Sequence, residues 1–302
     1  NPCPRWRFFV STSRMDQPMS AWIRVLLLSA CCLLSVPVQA QFPPACDSRK
    51  ECIGQAITFS VTSGRNAHFL ELLRNPVRAR QTAMTFEMWV RVDRQAGLRQ
   101  YLAGLWGPNS DFNDVFVLYI DENDQLTFEV NSDVATLQSV DNTIVRASAQ
   151  VLYSGWHHVA AVFDGATQSV SIYIDGALTA GPVSNPTYPA QYLKPLDRPD
   201  LPLLIGSFNG MADNQNLYRT LLGQVDEIRV WDRVLTASEI NCQKDRSLNG
   251  NEAGLRAYLR CNEPLNNINN CCDATGNGHT GQLRSGASNK ASSRVAPRTL
   301  SV

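Results

Sequence analysis

Polar and apolar residues alternate along the middle of the chain, between residues 56 and 232. Runs of β-branched and aromatic residues with a period of two are typical of half-buried strands. The pattern predicts strands at 85–92, 115–120, 126–130, 158–163, 169–174, 203–206 and 223–231. Asp-Gly pairs at 164–165 and 175–176 predict tight hairpin turns, because these residues tolerate positive φ angles. Thr236 and Glu239 form a capping box, which predicts one short helix near the C-terminal end.

Many short strands without long helices between them indicate an all-β chain, folded as an antiparallel sandwich or barrel. The 302 residues are 44% hydrophobic and 18% charged, which is typical of a globular protein. Lys+Arg and Asp+Glu both number 27, so the chain has no net charge that would attract nucleic acid. We therefore expect no nucleic-acid partner.

The segment 19–40 has the pattern of a secretory signal peptide. Arg24 precedes an apolar run of about a dozen residues, and small residues end the segment at Ala40. The run is too short to cross a bilayer, which takes roughly 20 apolar residues, although an uncleaved anchor helix is the alternative. We expect a secreted, extracellular protein with no integral membrane span after cleavage, and we interpret residues 1–18 as a doubtful leader.

Six cysteines remain after cleavage at this point: Cys46, Cys52, Cys242, Cys261, Cys271 and Cys272. An even number of cysteines in an exported chain predicts three disulfides. Zinc binding is the less favoured alternative, because the chain has no Cys-x-x-Cys pair. Cys271 and Cys272 are neighbours and should take different partners, since a bridge between adjacent residues is strained. The segment 41–55 is thus a cysteine-containing extension that precedes the main domain.

Several motifs in a fixed order resemble one family. They are Ala-Ile-Thr-Phe at 56–59, Met-Thr-Phe-Glu-Met-Trp-Val at 84–90, Gly-Trp-His-His-Val-Ala-Ala-Val-Phe-Asp-Gly at 155–165, Ile-Tyr-Ile-Asp-Gly at 172–176 and Gly-Gln-Val-Asp-Glu-Ile-Arg-Val-Trp at 223–231. The set resembles the laminin-G-like, concanavalin A-like jelly-roll family over residues 56–241. The resemblance implies a sandwich of two packed antiparallel sheets. It also implies a binding module for glycans or proteins, often with calcium.

A second motif of this family, at 254–263 and 273–281, follows the final strand instead of preceding the first one. We expect the tail 254–283 to fold back and complete the sandwich, so that the domain spans residues 56–283. Cys261 stands where the family usually has Phe, and Asn262 where it has Asp. Because terminal strands are neighbours in this fold, at least one of Cys46 and Cys52 should pair with the tail. Residues 284–302 are rich in Ser, Ala and Arg, and we expect them to be disordered.

The resemblance also suggests a calcium site formed by Asp226, Asp273 and Asn277. Their positions match family residues near the meeting point of the first and last strands, and calcium prefers carboxylate and carbonyl oxygens. The alternative is that Asp226 caps a turn and that Asn277 simply belongs to a tight turn. The acidic run 121–124 lacks the glycine and distal Glu of an EF-hand, so we interpret it as a hairpin tip.

Ligand contacts are expected from exposed aromatic and polar residues in two inter-strand loops, namely Trp106, Asn109, Asp111 and Tyr218. Aromatic rings stack on sugars, and amides and carboxylates bind their hydroxyl groups, although such residues often only pack a loop onto its sandwich. The family's hydrolases carry a Glu-x-Asp-x-Glu strand, which this chain lacks, and other catalytic motifs are also absent. The chain is therefore predicted to be no enzyme but a secreted binding module for glycans or glycoproteins. A structural or adhesion domain acting through protein contacts is the alternative.

Overall fold

Two antiparallel β-sheets and one short helix form the structure. This computed structural model describes residues 55–60, 68–78, 80–105, 115–131, 144–150, 153, 155–185, 191–193, 201–207, 220–262, 270–284 and 288–291. All of them belong to one compact unit, Ala45–Val302. The elements are β1 (Gln55–Phe59), β2 (Phe69–Leu72), β3 (Ala83–Val92), β4 (Gln100–Leu105), β5 (Phe116–Ile120), β6 (Gln125–Asn131), β7 (Ile144–Gln150), β8 (Trp156–Asp164), β9 (Ser169–Ile174), β10 (Ala177–Ser184), β11 (Leu204–Ile205), β12 (Gly223–Trp231), α1 (Ala237–Gln243), β13 (Leu255–Leu259), β14 (Asn270–Cys271), β15 (Gly281–Arg284) and β16 (Ser288–Ala291).

The strands are arranged in two sheets that pack face to face. Sheet A has the order β10-β9-β8-β3-β12-β1-β16, and β13 pairs with β12 outside this path. Sheet B has the order β14-β15-β2-β11-β4-β5-β6-β7. This architecture confirms the all-β sandwich of antiparallel sheets with one short helix.

The core lies between the sheets and is built from alternate residues of each strand. Phe86 of sheet A meets Phe116 of sheet B with ring centroids 6.1 Å apart, and Phe116 lies 6.3 Å from Phe128. All three rings are fully buried. Burying such a side chain contributes about 2–3 kcal/mol, so the strand alternation read from the sequence is also the main source of stability.

The turns and the helix follow their sequence signals, with one exception. Asp175 and Gly176 have φ angles of 53° and 83°, as a two-residue hairpin between β9 and β10 requires. The turn after β8 differs from expectation, because its positive φ angle falls on Gln168 and not on Gly165. There the carboxylate of Asp164 accepts a hydrogen bond from the Ala166 amide, 2.9 Å away, and a longer turn results. The capping box of α1 is present as predicted.

Strands of the tail pair with both sheets. In sheet A, β13 pairs with the second half of β12, with Leu259 opposite Ile228. β1 pairs with the first half of the same strand, with Ile57 opposite Val225. Strands β13 and β1 therefore occupy one side of β12 in succession, although they come from opposite ends of the domain. In sheet B, β15 pairs with β2. Tyr258 and Leu259 are both fully buried.

The C-terminal boundary of the domain differs from expectation. Residues 284–302 were expected to be disordered, but Arg284 belongs to β15 and Ser288–Ala291 form β16, which pairs with β1. Strand pairing uses main-chain groups, so a segment of low hydrophobicity can still add to a free sheet edge. The described residues do not include the signal segment 19–40, the extension up to residue 54 or residues 292–302. In the part of the chain that is described, no helix is long and apolar enough to cross a membrane.

Candidate ligand-binding face

The outer face of sheet A is covered and plays a structural role. Helix α1 and the segment after it bury an apolar cluster on this face, which consists of Ala160, Val162, Trp231, Leu235, Ile240, Leu248, Leu255 and Tyr258. Beneath it, Arg229 donates hydrogen bonds to Glu227 at 2.8 Å and to the carbonyl oxygen of Gln243 at 3.1 Å. Tyr258 donates to the same Glu227 at 2.5 Å. These bonds fasten the helix and the tail to β12.

Glu87 lies at the centre of this buried polar network. Its carboxylate accepts a hydrogen bond from the Trp231 indole at 3.1 Å, and Nε2 of His158 lies 3.3 Å from its second oxygen. A guanidinium nitrogen of Arg229 lies 3.4 Å away. Burial alone would raise the pKa of Glu87, but the His158 side chain and the Arg229 charge outweigh it and hold this pKa at about 2. Glu87 is therefore a structural anion.

The outer face of strands β4 to β7 has a different character, because polar and aromatic residues replace the apolar ones. Register places Tyr101 opposite Tyr119, Tyr119 opposite Thr127, and Thr127 opposite Ser148. In the next row, Glu129 lies opposite Arg146. We call this surface the β4–β7 face, and we define it by Tyr101, Tyr119, Thr127, Glu129, Arg146 and Ser148.

The aromatic half of the β4–β7 face is a pair of tyrosines beneath an arginine. The ring centroids of Tyr101 and Tyr119 are 5.6 Å apart, and the Arg99 guanidinium lies 4.7 Å from the centroid of the Tyr119 ring. Arg99 also donates a hydrogen bond to Glu122 at 3.1 Å. This stack combines an aromatic pair with a cation–π contact, which holds the guanidinium in one place.

The polar half is a chain of hydrogen bonds across three strands. The hydroxyl of Tyr119 donates to Oε1 of Glu129 at 2.5 Å, and Nε of Arg146 contacts the same oxygen. Thr127 and Ser148 hydroxyl oxygens lie 3.0 Å apart. Burial and the neighbouring Glu129 carboxylate raise the pKa of Tyr119 well above its usual value. Tyr119 therefore remains a neutral hydroxyl donor over the physiological pH range.

Exposure separates the supporting residues of this face from those that a ligand can reach. Tyr101 and Tyr119 are only 6% and 5% exposed, whereas the Arg146 side chain is 57% exposed. Along β7, Arg146, Ser148 and Gln150 point outward, and Ala147 and Ala149 point into the core. A ligand would therefore meet the guanidinium of Arg146, which Glu129 holds in position, and the hydroxyl of Ser148, which contacts Thr127. It would also meet the amide of Gln150, which bonds to the neighbouring β5–β6 hairpin.

The charged and polar groups of this face are suited to hydrogen bonding. Strands β4 to β7 contain a single carboxylate, Glu129. Glycoside hydrolysis generally takes two carboxyl groups on either side of the scissile bond. The one carboxylate is also occupied by Tyr119 and Arg146.

The residues predicted to bind a ligand cannot be placed on this face directly. Trp106, Asn109, Asp111 and Tyr218 lie outside the described residues, and their role stays a prediction. The segment 106–114 joins β4 to β5 at the end of the sheet where 132–143 joins β6 to β7. Thr220, two residues after Tyr218, forms a bridge with Tyr101. The first predicted loop thus joins two strands of the β4–β7 face, whereas the segment that carries Tyr218 joins β11 to β12.

Two of the three residues predicted to bind calcium take part in a hydrogen-bonded turn. Oδ1 of Asp273 accepts from the Tyr258 amide at 3.1 Å, and from the amide and hydroxyl of Thr275 at 3.0 and 2.7 Å. Its Oδ2 accepts from the His279 amide at 2.9 Å. Asn277 donates its side-chain amide to the Arg256 carbonyl oxygen at 2.9 Å. Both carboxylate oxygens of Asp273 are thus engaged in hydrogen bonds, and Asn277 is held through its side-chain nitrogen.

The third of these residues, Asp226, is 5% exposed and accepts a hydrogen bond from the Glu227 amide at 2.8 Å. No group of three or more His, Cys, Asp and Glu residues that could hold a metal ion occurs in the described part of the chain. The donor set as folded does not fit calcium, and we derive no role for the ion. Calcium binding stays an untested prediction.

The run 121–124 is the hairpin tip between β5 and β6. There the side chain of Asp121 accepts hydrogen bonds from the main-chain amides of Asn123 and Gln125.

The cysteines of the tail lie in a small buried region. Cys242 and Cys272 are each disulfide-bonded. The sulfur atoms of Cys261 and Cys271 lie 2.9 Å apart. Cys46 and Cys52 lie outside the described residues, so the three predicted bridges and their pairing stay predictions.

Comparisons with known proteins agree with this architecture. A family model described as the concanavalin A-like lectin/glucanases superfamily matches residues 67–241. The chain belongs to this superfamily. No curated protein sequence matches the chain.

Solved structures of other proteins share this fold at low sequence identity, as two examples show. A protein of Bacteroides ovatus with a proposed role in carbohydrate binding has a TM-score of 0.57 and 19% identity, over 81% of this chain and 62% of its own. The chain thus spans less than two thirds of that relative. A serum-amyloid-P-like heptameric pentraxin of Limulus polyphemus has a TM-score of 0.51 and 12% identity, over 83% of this chain and 99% of its own.

The residues of the β4–β7 face are not among those that the sequence predicts to bind a ligand. Strands β5 and β6 were recognised, and their alternation separates Val117 and Tyr119 from the core residues Phe116 and Leu118. Polar residues that alternate with core residues were the available signal. Which of them meet across strands depends on register, which the sequence alone does not fix.

Proposed function

We propose that this chain is a secreted, non-catalytic module that binds a neutral glycan at the β4–β7 face. The observation that carries the proposal is the outer surface of β7, where Arg146 contacts the buried Tyr119–Glu129 pair and the exposed Ser148 and Gln150 lie along the same strand. Fixed donors and acceptors on a rigid sheet are what a hydroxyl-rich ligand needs, because little conformational entropy is lost on binding. Membership of a superfamily that contains lectins supports this choice.

The charges around the face favour a neutral ligand over an acidic one. Each arginine of this region has an acidic partner: Arg146 contacts Glu129, Arg99 contacts Glu122 and Arg94 contacts Asp124. A ligand with carboxylate or sulfate groups would have to compete with these carboxylates for the guanidinium groups. A neutral sugar can instead accept hydrogen bonds from guanidinium protons that remain exposed, as they do at Arg146.

Export supports the same function. The signal-peptide pattern at 19–40 would deliver the domain to a compartment where glycans of cell surfaces and matrices are available. The presence of one carboxylate on the face, already bound by its neighbours, supports a module without hydrolytic activity.

The alternative is a structural or adhesion domain that acts through protein contacts. One observation favours it: Leu178 and Val183, both on the edge strand β10, are 48% and 39% exposed. Exposed apolar residues on a sheet edge can pair with another protein. However, β10 has two register irregularities and contains Pro182, and both features hinder strand addition at an edge.

A glycan array tests the proposal. The full chain, produced with its own signal segment, is applied to neutral, sialylated and sulfated glycans, with calcium and with EDTA. We expect binding to a set of neutral glycans that is unchanged by EDTA and leaves the glycans intact. Binding restricted to acidic glycans would contradict the ligand class, and released sugar products would contradict the non-catalytic role. Absence of binding to every glycan would favour the protein-contact alternative.

A further inference from the structure

Two buried cysteines meet where the tail crosses from one sheet to the other. Cys261 follows the end of β13 in sheet A, and Cys271 is the last residue of β14 in sheet B. Both residues are buried, with 0% and 1% exposure. Their sulfur atoms are 2.9 Å apart.

We propose that Cys261 and Cys271 form a disulfide that ties the two sheets together through the tail. A disulfide has an S–S distance of about 2.0 Å, so the sulfurs need to approach by less than about 1 Å. Two sulfur atoms already in contact can make this shift through small side-chain rotations. No change in strand pairing is needed.

The state of Cys242 and Cys272 limits which cysteine can pair with Cys271. Cys272 is itself disulfide-bonded and so is Cys242, so that neither is available as a partner for Cys271. Cys272 is also the residue next to Cys271, and adjacent cysteines bridge only with strain. Cys261 is therefore the partner that the geometry gives to Cys271.

The backbone at Cys261 is consistent with a covalent tie. Its φ angle is 56°, in the left-handed region that residues other than glycine rarely occupy. This conformation stores a small amount of strain, which the surrounding structure must hold. A bond from the side chain to β14 would help to keep it.

The bridge would form by thiol–disulfide exchange with a small-molecule or protein disulfide as the oxidant. The Cys271 thiolate attacks one sulfur of the oxidant, forms a mixed disulfide and releases one thiolate. The Cys261 thiolate then attacks the Cys271 sulfur, and the second thiolate leaves. In total, the two protein thiols lose two protons and two electrons, and the oxidant disulfide is reduced to two thiols.

The bridge would close a covalent loop within the tail. The ring formed by residues 261–271 would fix the position of β14, and through it β15, relative to the end of β13. The same segments carry the strands that complete both sheets. The bridge would hold β13 and β14 together as one cross-linked unit, while strand pairing with β12 and β2 attaches that unit to the two sheets.

Peptide mapping of the full chain tests this directly. The protein is refolded with oxidised and reduced glutathione, denatured without reductant, treated with iodoacetamide and digested. We expect a linked pair of peptides that contain Cys261 and Cys271, and no alkylation at either position. Alkylation of both residues, or linkage of either one to a different cysteine, would overturn the proposal.

Single variants provide a second and independent readout. In Cys261→Ser, one thiol per denatured chain should become reactive, and mapping should place it at Cys271. Cys271→Ser should expose Cys261 in the same way. If the newly reactive thiol lies at any other cysteine, the pairing is wrong. The mapping of the unaltered chain decides the question if a variant fails to fold.

Discussion

At the scale of single residues, Glu87 links the stability of the domain to pH. Its pKa of about 2 lies below the ordinary value of 4.5, so the folded state holds the proton less tightly than the unfolded state. Because of this difference, the Glu87 carboxylate contributes its full stabilisation above about pH 5 and loses it as the pH falls towards 2. A shift of this size corresponds to about 3 kcal/mol of the free energy of unfolding.

Urea unfolding at pH 7, 5, 4 and 3 measures this contribution. We expect Glu87→Gln to be less stable than the native chain at pH 7 and to show a shallower loss of stability below pH 5. In Glu87→Gln, the free energy of unfolding should still fall with pH, but less steeply, because the hydrogen bond from Arg94 lowers the pKa of Asp124 as well. Equal slopes in the native chain and in Glu87→Gln would show that Glu87 does not hold its charge as described.

The carboxylate of Asp273 has a structural role that substitution can test. It accepts four hydrogen bonds, three from the turn that precedes β15 and one from the main-chain amide of Tyr258 in β13. We expect Asp273→Ala to lower the free energy of unfolding by about 3 kcal/mol, since bonds to a charged acceptor are worth roughly 1.5–3 kcal/mol each and do not add fully. Asp273→Asn retains one acceptor oxygen and should lose less.

Thermal unfolding with calcium and with EDTA distinguishes this structural role from the predicted metal site. The melting temperature of the native chain should not depend on calcium, and the loss in Asp273→Ala should be the same in both buffers. A calcium-dependent rise in the native chain that Asp226→Ala abolishes would restore the metal site to the account.

At the scale of elements, the start of α1 depends on its capping box. The Thr236 hydroxyl accepts from the Glu239 amide at 3.2 Å, and Glu239 accepts from the Thr236 amide at 2.8 Å. We expect Thr236→Ala to cost about 1 kcal/mol, measured by denaturant unfolding. Ser238→Ala, at an exposed position in the same turn, is the matched control and should change stability little. Similar losses in both variants would contradict the role of the cap.

The tail should be an integral part of the sandwich. A chain that ends at Ala253 lacks β13 to β16 and exposes the partners of the fully buried Tyr258 and Leu259. We expect this truncation to lower the melting temperature strongly or to prevent folding, because it removes an apolar surface from both sheets. A chain that ends at Ala291 keeps every described strand and serves as the control. An unchanged melting curve in the shorter chain would contradict the account of the tail.

Local patterns predicted the elements better than their contacts. Alternation located β3, β5, β6, β8, β9 and β12 but not β4, β7 or β10. The capping box located α1, and the motif at 254–281 indicated that the tail folds back. Strand β16 was not expected, because main-chain pairing at a sheet edge leaves no hydrophobic signal. The bond between Arg229 and Glu87, which are 142 residues apart, and the approach of Tyr119 to Glu129 depend on register. Propensity and periodicity do not contain that information.

At the scale of the whole molecule, the outer faces of the two sheets differ in character. The outer face of sheet A is covered by α1 and the segment after it, and its charged residues bond to one another. The β4–β7 face of sheet B presents polar groups on β7 that are exposed at Arg146, Ser148 and Gln150. This asymmetry is the reason for placing the ligand on sheet B.

The most direct test of the account is the affinity of the chain for a glycan from the array, measured by calorimetry for three proteins. We expect Arg146→Gln to bind at least about tenfold more weakly than the native chain, since a hydrogen bond from a charged group is worth about 1.5 kcal/mol or more. Arg246→Gln removes the same charge from an exposed position beyond α1, on the side of sheet A, and should bind as the native chain does. Equal affinities in all three proteins, with unchanged melting temperatures, would contradict a binding site on the β4–β7 face.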